Sequence, residues 1–170
     1  MNDATTPLKL FVSYAHEDEA YRKRLEVHLA ALQAEGYYEV WHDRELIAGQ
    51  DWAREIDSHL AEADVVLLLV SADLINSRYV WGLELEQALR QEAAGSTRIV
   101  SVILKPCRWQ RGFSPLASRQ ALPPRLDRVK SVSEHPGGED KAFDEVMEGL
   151  EKLCEDIRAQ RGHAPATPAA

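Results

Sequence analysis

Apolar and polar residues follow two different periods along this chain, and the two periods alternate. Short apolar runs rich in β-branched residues predict five strands, at 8–14, 37–41, 64–71, 99–104 and 129–132. Between these runs, apolar residues recur at every third or fourth position, which is typical of helices that bury one side. The helical stretches run from 17 to the glycine at 36, from 51 through 60, over 78–92 and along 143–157.

The regular order of strand and helix predicts an open parallel sheet with right-handed crossovers. The unbroken apolar run at 64–71 predicts a central strand, because both of its faces must be buried. The expected fold class is therefore flavodoxin-like α/β, an open five-stranded parallel sheet with helices on both faces. Four prolines predict irregular structure over 105–124; they are Pro106, Pro115, Pro123 and Pro124.

The two ends of the chain differ in composition from the part between them. We expect a disordered N-terminal tail at 1–7, a single domain at 8–159 and an Ala/Pro-rich linker or tail at 160–170. A linker of this kind predicts that the domain is followed by a C-terminal sensor or assembly domain in a longer protein.

Charge and hydropathy narrow the class of protein. A formal net charge of −8 argues against direct binding of nucleic acid, which usually requires a basic face. The longest apolar run, at 65–70, is far shorter than the ~20 residues that a membrane helix needs. We therefore expect a cytoplasmic protein that binds neither nucleic acid nor membrane. The six histidines form no HxxxH pair, so no metal site is predicted.

Three familiar classes of α/β protein lack their motifs here. A dinucleotide-binding domain needs GxGxxG after its first strand, whereas this strand leads into Ser13, Tyr14, Ala15 and His16, with no glycine before Gly36. No GxxxxGK[ST] motif for a phosphate-binding loop is present. A phospho-acceptor receiver domain needs an aspartate at the end of its third strand, where this chain has Ser71.

Four motifs in order carry a resemblance to a known family. They are FVSYAHED at 11–18, the segment 41–56 with Asp43, Gly49 and Trp52, LLLVSADLINSRYVWGLELEQAL at 67–89, and ILKPCRWQRGFSPLASRQALP at 103–123. From residue 8 to about 157, the chain resembles the Toll/interleukin-1 receptor (TIR) domain in its bacterial form.

The resemblance implies an enzyme that cleaves NAD at the bond between nicotinamide and ribose, as a nucleosidase or cyclase in bacterial defence signalling. NAD would be its substrate, and no bound cofactor is implied. The family's catalytic glutamate corresponds to Glu84. One carboxylate suffices in principle, because nicotinamide leaves as a neutral molecule and needs no general acid. Glu86 lies ~200° further round a helix, so the two carboxylates do not share one pocket. The resemblance leaves open whether the product is linear or cyclic.

The resemblance also implies a set of substrate-binding residues, namely Tyr14, Ala15, His16, Trp41, Asp43, Ser71, Tyr79 and Trp81. Three of them have an alternative reading: Ser71 is suited to satisfying local backbone groups, Trp41 to packing, and Asp43 to organising its own loop. Some active members have a tryptophan where this chain has Val80. Which aromatic ring stacks on nicotinamide is therefore left open.

The loop after the second strand is the surface through which TIR domains meet one another. In this chain it contains Leu46, Ile47, Gly49 and Trp52, and we expect it to mediate self-association that activates the enzyme. The alternative function is a non-catalytic TIR adaptor that acts only by homotypic TIR–TIR binding, since fold alone does not settle function.

Overall fold

The computed structural model describes residues 6–42, 58–76, 85–109, 121–123 and 131–162. Five parallel strands form one sheet in the order β2-β1-β3-β4-β5. The strands are β1 (Leu8–Ser13), β2 (Tyr38–His42), β3 (Val65–Val70), β4 (Arg98–Ile103) and β5 (Ala121–Leu122). This is the strand order of flavodoxin-like folds. The predicted fold class is confirmed.

Helices cover both faces of the sheet. Among the described residues they are α1 (Glu19–Ala34), α2 (Ala72–Asn76), α3 (Leu85–Ala93) and α4 (Glu139–Gly162), and residues 58–61 are also helical. Side chains of a strand alternate between its two faces. In β3, Val65, Leu67 and Leu69 accordingly join the core beneath α1 and α4. Val66, Leu68 and Val70 join the core beneath α2, α3 and residues 58–61.

The helix α1 forms and ends where its sequence indicates. Its apolar side chains Leu25, Leu29 and Leu32 recur at helical spacing and are all buried. Gly36 follows the helix with φ of 80°, a conformation that glycine adopts without a Cβ penalty. Its N–H donates to the carbonyl of Gln33 at 3.1 Å, and the N–H of Tyr37 donates to that of Leu32 at 2.9 Å. These two bonds satisfy the last carbonyls of the helix and turn the chain into β2.

The fifth strand lies elsewhere than predicted. It is Ala121–Leu122, inside the stretch that the prolines indicated would be irregular, and it pairs with Ser101 and Val102 of β4. The predicted strand at 129–132 was wrong at Ser131, which is not in a strand, and at Val132, which belongs to the 3-10 helix Val132–Glu134; residues 129 and 130 lie outside the described part of the chain. Val132 is buried among the side chains beneath α4. Its apolar character therefore reflects packing against that helix rather than strand pairing.

Helix boundaries also differ from the prediction. The short helix α2 was not predicted, and the helix expected over 78–92 is described only as α3, since 77–84 lie outside the described residues. The helix α4 continues to Gly162, past residue 159 where the domain was expected to end. At the other end, the carbonyl of Thr6 accepts a hydrogen bond from Arg158. The remaining tail residues, 1–5 and 163–170, are not described.

Candidate active site at the carboxyl edge of the sheet

The carboxyl ends of the strands bring several polar residues to one edge of the sheet. The chain passes from β1 to β2 on one side and from β3 to β4 on the other, so the strand order reverses between β1 and β3. Open α/β sheets bind their ligands at this reversal. The residues that follow the strands there are the loop 14–16 after β1, His42 at the end of β2, Ser71 after β3 and Lys105 after β4.

The loop after β1 contains three of the predicted substrate-binding residues. Tyr14 and Ala15 are buried, and Tyr14 belongs to the core beneath α1. The Arg22 guanidinium lies 5.6 Å from the centre of the Tyr14 ring. His16 is exposed on 65% of its side chain and lies 4.0 Å from the carboxylate of Glu19. Of the three side chains, that of His16 is the one that faces solvent.

Trp41 lies on β2 and is partly exposed. Its indole stacks on the imidazole of His59, with ring centroids 4.0 Å apart, and on the ring of Phe11, at 5.1 Å. The three rings line a cavity of about 230 Å³ between the β1–β2 face and the chain around 59–63. This cavity lies along the face of the sheet rather than at its carboxyl edge, so Trp41 occupies a packing position, against the same core that contains Ala15.

Ser71 is fully buried, and its hydroxyl is engaged on both sides. The hydroxyl donates to Oδ2 of Asp18 and accepts the N–H of Leu74 at 3.1 Å. The second bond is an N-cap of α2, in which a serine oxygen satisfies a free N–H of the first helical turn. Ser71 therefore satisfies a local backbone group, as its alternative reading proposed.

The remaining predicted site residues lie outside the described parts of the chain. They are Glu84, Asp43, Tyr79 and Trp81 of the predicted NAD site, and Leu46, Ile47, Gly49 and Trp52 of the predicted self-association loop. What is described is the frame around Glu84. Leu85, the next residue in the sequence, is the first described residue of α3, and it is buried in the same core as Leu74 of α2.

Sequence reasoning missed Asp18 and Lys105. Asp18 is completely buried, and its Oδ1 lies 3.5 Å from Nζ of Lys105. A buried carboxylate is costly unless it is paired and hydrogen-bonded. Because Asp18 is buried in this way where the strand order reverses, we include it in the candidate site. The available signal was position: Asp18 and Lys105 each follow a strand that ends at this edge.

His42 and Arg22 shape the electrostatics beside the loop after β1. Arg22 is buried on α1, where it pairs with Glu26 at 2.6 Å and with Glu19 at 3.3 Å. Burial lowers the pKa of His42, and the nearby Arg22 charge lowers it further. Both effects disfavour the imidazolium. His42 is thus held neutral to a lower pH than an ordinary histidine, with its ring 6.1 Å from that of Tyr14.

Two negative findings apply to the described part of the chain alone. Its residues contain no group of three or more His, Cys, Asp or Glu side chains placed to hold a metal ion. Within the same ranges, no helix has the length and apolar character needed to cross a membrane.

These features define a flavodoxin-like α/β protein with polar residues gathered where its strand order reverses. A family model described as TIR domain matches residues 10–143. The chain belongs to the TIR domain family, as its four motifs predicted; that it is the bacterial form stays a prediction.

Two known proteins are similar to this chain. The uncharacterized protein y4lF of Sinorhizobium fredii is 34% identical over 161 residues, which make up 95% of this chain and 48% of that protein. The chain thus spans about half the length of this curated relative. The crystal structure of the TIR domain of the Toll-related receptor TRR-2 from Hydra magnipapillata matches with a TM-score of 0.54 and 12% identity. That match covers 84% of this chain and 97% of the Hydra domain, and it shows the fold alone.

Proposed function

We propose that this TIR domain cleaves NAD at the bond between nicotinamide and ribose, with Glu84 as its catalytic residue. The observation that carries the proposal is the position of α3. The described part of this helix begins at Leu85, the residue after Glu84, and Leu85 is buried in the core that also contains β3 side chains. The strand β3 flanks the reversal of strand order, where α/β sheets bind ligands.

Cleavage of NAD at this bond requires one carboxylate from the protein and no general acid. Nicotinamide in NAD is already a cationic pyridinium, and cleavage releases it as a neutral molecule. Positive charge then develops on the ribose, in an oxocarbenium-like transition state. A carboxylate at Glu84 would stabilise that charge electrostatically and bind ribose hydroxyl groups.

The loop after β1 is the proposed second wall of the substrate site. Its side chains offer one exposed imidazole, that of His16, whereas Tyr14 is buried against Arg22. We assign the loop backbone and His16 the task of binding the nucleotide, with Asp43, Tyr79 and Trp81 as further contacts. No step of this scheme requires a metal or a bound cofactor.

The proposed setting is cytoplasmic defence signalling. Self-association through the loop with Leu46, Ile47, Gly49 and Trp52 would activate the enzyme. A further domain would supply the trigger, and support for this comes from protein y4lF, about half of which lies outside the match.

A second candidate is a TIR adaptor that binds other TIR domains without catalysis. One observation favours it. The hydroxyl of Ser71 and the indole of Trp41, both assigned to the substrate, are engaged inside the protein with Asp18 and His59. An adaptor needs neither of these side chains to be free for a substrate.

The deciding experiment is incubation of the purified protein with NAD over a wide range of protein concentrations, with chromatography of the products. We expect free nicotinamide together with ADP-ribose or a cyclic isomer of it. The absence of nicotinamide at every concentration, from a folded protein shown to self-associate, would favour the adaptor.

A further inference from the structure

The buried residue Asp18 links the ends of three strands at the carboxyl edge. Its own N–H donates to the carbonyl of Ala15 at 2.9 Å, which closes the turn after β1. Oδ2 accepts the hydroxyl proton of Ser71 after β3. Oδ1 lies 3.5 Å from the ammonium group of Lys105 after β4. Through its backbone N–H and its side chain, this one residue thus joins the segments that follow three neighbouring strands.

The contact with Ser71 replaces an easier local one. Asp18 is the N-cap residue of α1, yet its carboxylate makes no capping hydrogen bond to that helix. Aspartate at an N-cap ordinarily accepts an N–H from the first turn. Here the carboxylate instead accepts a hydrogen bond from Ser71, 53 positions further along the chain. The role of this side chain is therefore the contact with Ser71 and not the capping of α1.

Through its hydroxyl group, Ser71 connects Asp18 to the first turn of α2, which follows β3. Its oxygen accepts the N–H of Leu74, and Asp18 fixes the direction of its hydroxyl proton. Asp18, Ser71 and Leu74 are all fully buried, so water does not substitute for either bond. The helix α2 that begins here leads into residues 77–84, which contain Glu84.

The ion pair with Lys105 explains why residue 18 is an aspartate rather than an asparagine. An amide could accept the Ser71 proton but would offer no charge to Lys105, whose side chain is 43% exposed. Lys105 also lies 5.4 Å from the centre of the Tyr21 ring on α1. The ion pair therefore holds the carboxylate where the loop after β1, the start of α2 and the end of β4 meet.

We propose that Asp18 is a positioning residue, which acts through Ser71 to hold the start of α2, from which the chain continues to Glu84, against the loop after β1. The activity part of this inference rests on the proposed NAD cleavage; the mechanical link between Asp18 and α2 does not. Asp18 itself touches no substrate.

The test compares Asp18→Ala, Ser71→Ala and the double variant with Glu17→Gln, which removes an exposed acid from the same turn. For NAD cleavage, we expect each single change to lower kcat by roughly tenfold to a hundredfold, the effect of a misplaced catalytic group. KM should stay within about twofold, and the double variant should lose no more than the worse single variant, since the two residues act as a unit. Glu17→Gln should match the wild type.

A second readout is hydrogen exchange at the Leu74 amide, which needs no activity. Asp18→Ala should accelerate it by roughly tenfold, as expected for a weakened buried hydrogen bond, while amides of β3 stay protected. If Asp18→Ala does not fold, Asp18→Asn replaces it and should show the same changes in smaller measure.

The outcomes separate the two proposals. If the wild-type protein releases no nicotinamide, the proposed function is wrong. Hydrogen exchange at Leu74 then tests the link between Asp18 and α2 by itself. Unchanged exchange at Leu74 in the folded Asp18 variant overturns the link. Unchanged kcat, or losses that multiply in the double variant, overturns the positioning role in an active enzyme.

Discussion

The indole of Trp41 lies almost parallel to the imidazole of His59, at an interplanar angle of 11° and a centroid separation of 4.0 Å. Trp41 is also the register partner of Phe11 on β1, whose ring stacks beside it. A tryptophan that appeared in the sequence as a candidate for stacking on substrate is thus stacked on the protein.

We expect Trp41→Ala to lower the free energy of unfolding by about 2–3 kcal/mol, less than for a fully buried tryptophan because Trp41 is partly exposed. A double-mutant cycle with His59→Ala should give a coupling of about 0.5–1.5 kcal/mol for the ring pair. Chemical denaturation measures both. A raised KM for NAD in Trp41→Phe, with stability intact, would instead indicate direct contact with substrate.

The sheet could be predicted because its signals are local. The run Val65–Val70 is apolar at every position, and each of its residues is buried. Gly36 marked a helix end, since few other residues accept its backbone conformation cheaply. Signals of this kind need only neighbouring residues, so four of the five described strands and the buried sides of α1 and α4 followed from the pattern.

The parts that were missed depend on distant residues. Two residues, Ala121 and Leu122, carry no period, and they become a strand only because β4 offers an edge. The bond between Asp18 and Ser71 joins positions 53 apart, and nothing in FVSYAHED shows which of its two acids is buried. Of the candidate site, the sequence indicated the edge of the sheet but not the buried charges that hold it together.

Glu84→Gln should reduce NAD cleavage by a factor on the order of 10²–10³, the usual loss when one group that stabilises a transition-state charge is removed. The matched control is Glu86→Gln. Glu86 is 66% exposed and lies 3.8 Å from Arg90 on α3, so its loss should leave the rate nearly unchanged. Nicotinamide release by each purified variant, with thermal unfolding as a check on folding, decides the assignment. Equal losses in the two variants would remove Glu84 from the mechanism.

Specific activity should rise with protein concentration if self-association assembles the active form. Ile47→Asp should flatten that rise by placing a charge in the predicted contact loop. Val27→Asp is the control, because Val27 is an apolar side chain on α1 that is already 61% exposed. Light scattering and nicotinamide release over the same dilution series test this. Specific activity independent of concentration in a monomeric wild type would contradict the prediction.

Asp140 joins the start of α4 to α1 in a way that depends on pH. It accepts two hydrogen bonds from Arg24, at 2.6 and 2.8 Å, and lies 3.1 Å from the imidazole of His28. The Arg24 bonds, with that of His28, lower the pKa of Asp140 to about 2 from 3.8. Because the pKa is lower in the folded state, the stabilisation is complete above about pH 4 and disappears as the pH falls toward 2.

Asp140→Asn should therefore be less stable than the wild type at neutral pH and equally stable near pH 2. Denaturation at a series of pH values measures the difference. The difference should shrink in high salt, because Asp140 and Arg24 are both well exposed. A difference that stays constant from pH 7 to pH 2 would show that the ion pair does not cause it.

Gly149 allows α4 to approach β5 closely. A Cβ at this position would lie 2.9 and 3.1 Å from the two methyl carbons of Leu122, which is itself buried. Replacing a helical glycine by alanine ordinarily stabilises by about 1 kcal/mol, whereas overpacking costs about 1–3 kcal/mol. We expect the second effect to prevail, so that Gly149→Ala lowers the free energy of unfolding by about 1 kcal/mol.

The Leu122 side chain offers a direct test of that cause. In a Leu122→Ala background the methyl groups are gone, and the same Gly149→Ala change should become stabilising by up to about 1 kcal/mol, the helix-propensity gain alone. Denaturant unfolding of the four proteins in the cycle measures the reversal of sign. If Gly149→Ala destabilises both backgrounds equally, contact with Leu122 is not the reason that glycine stands in the middle of this helix.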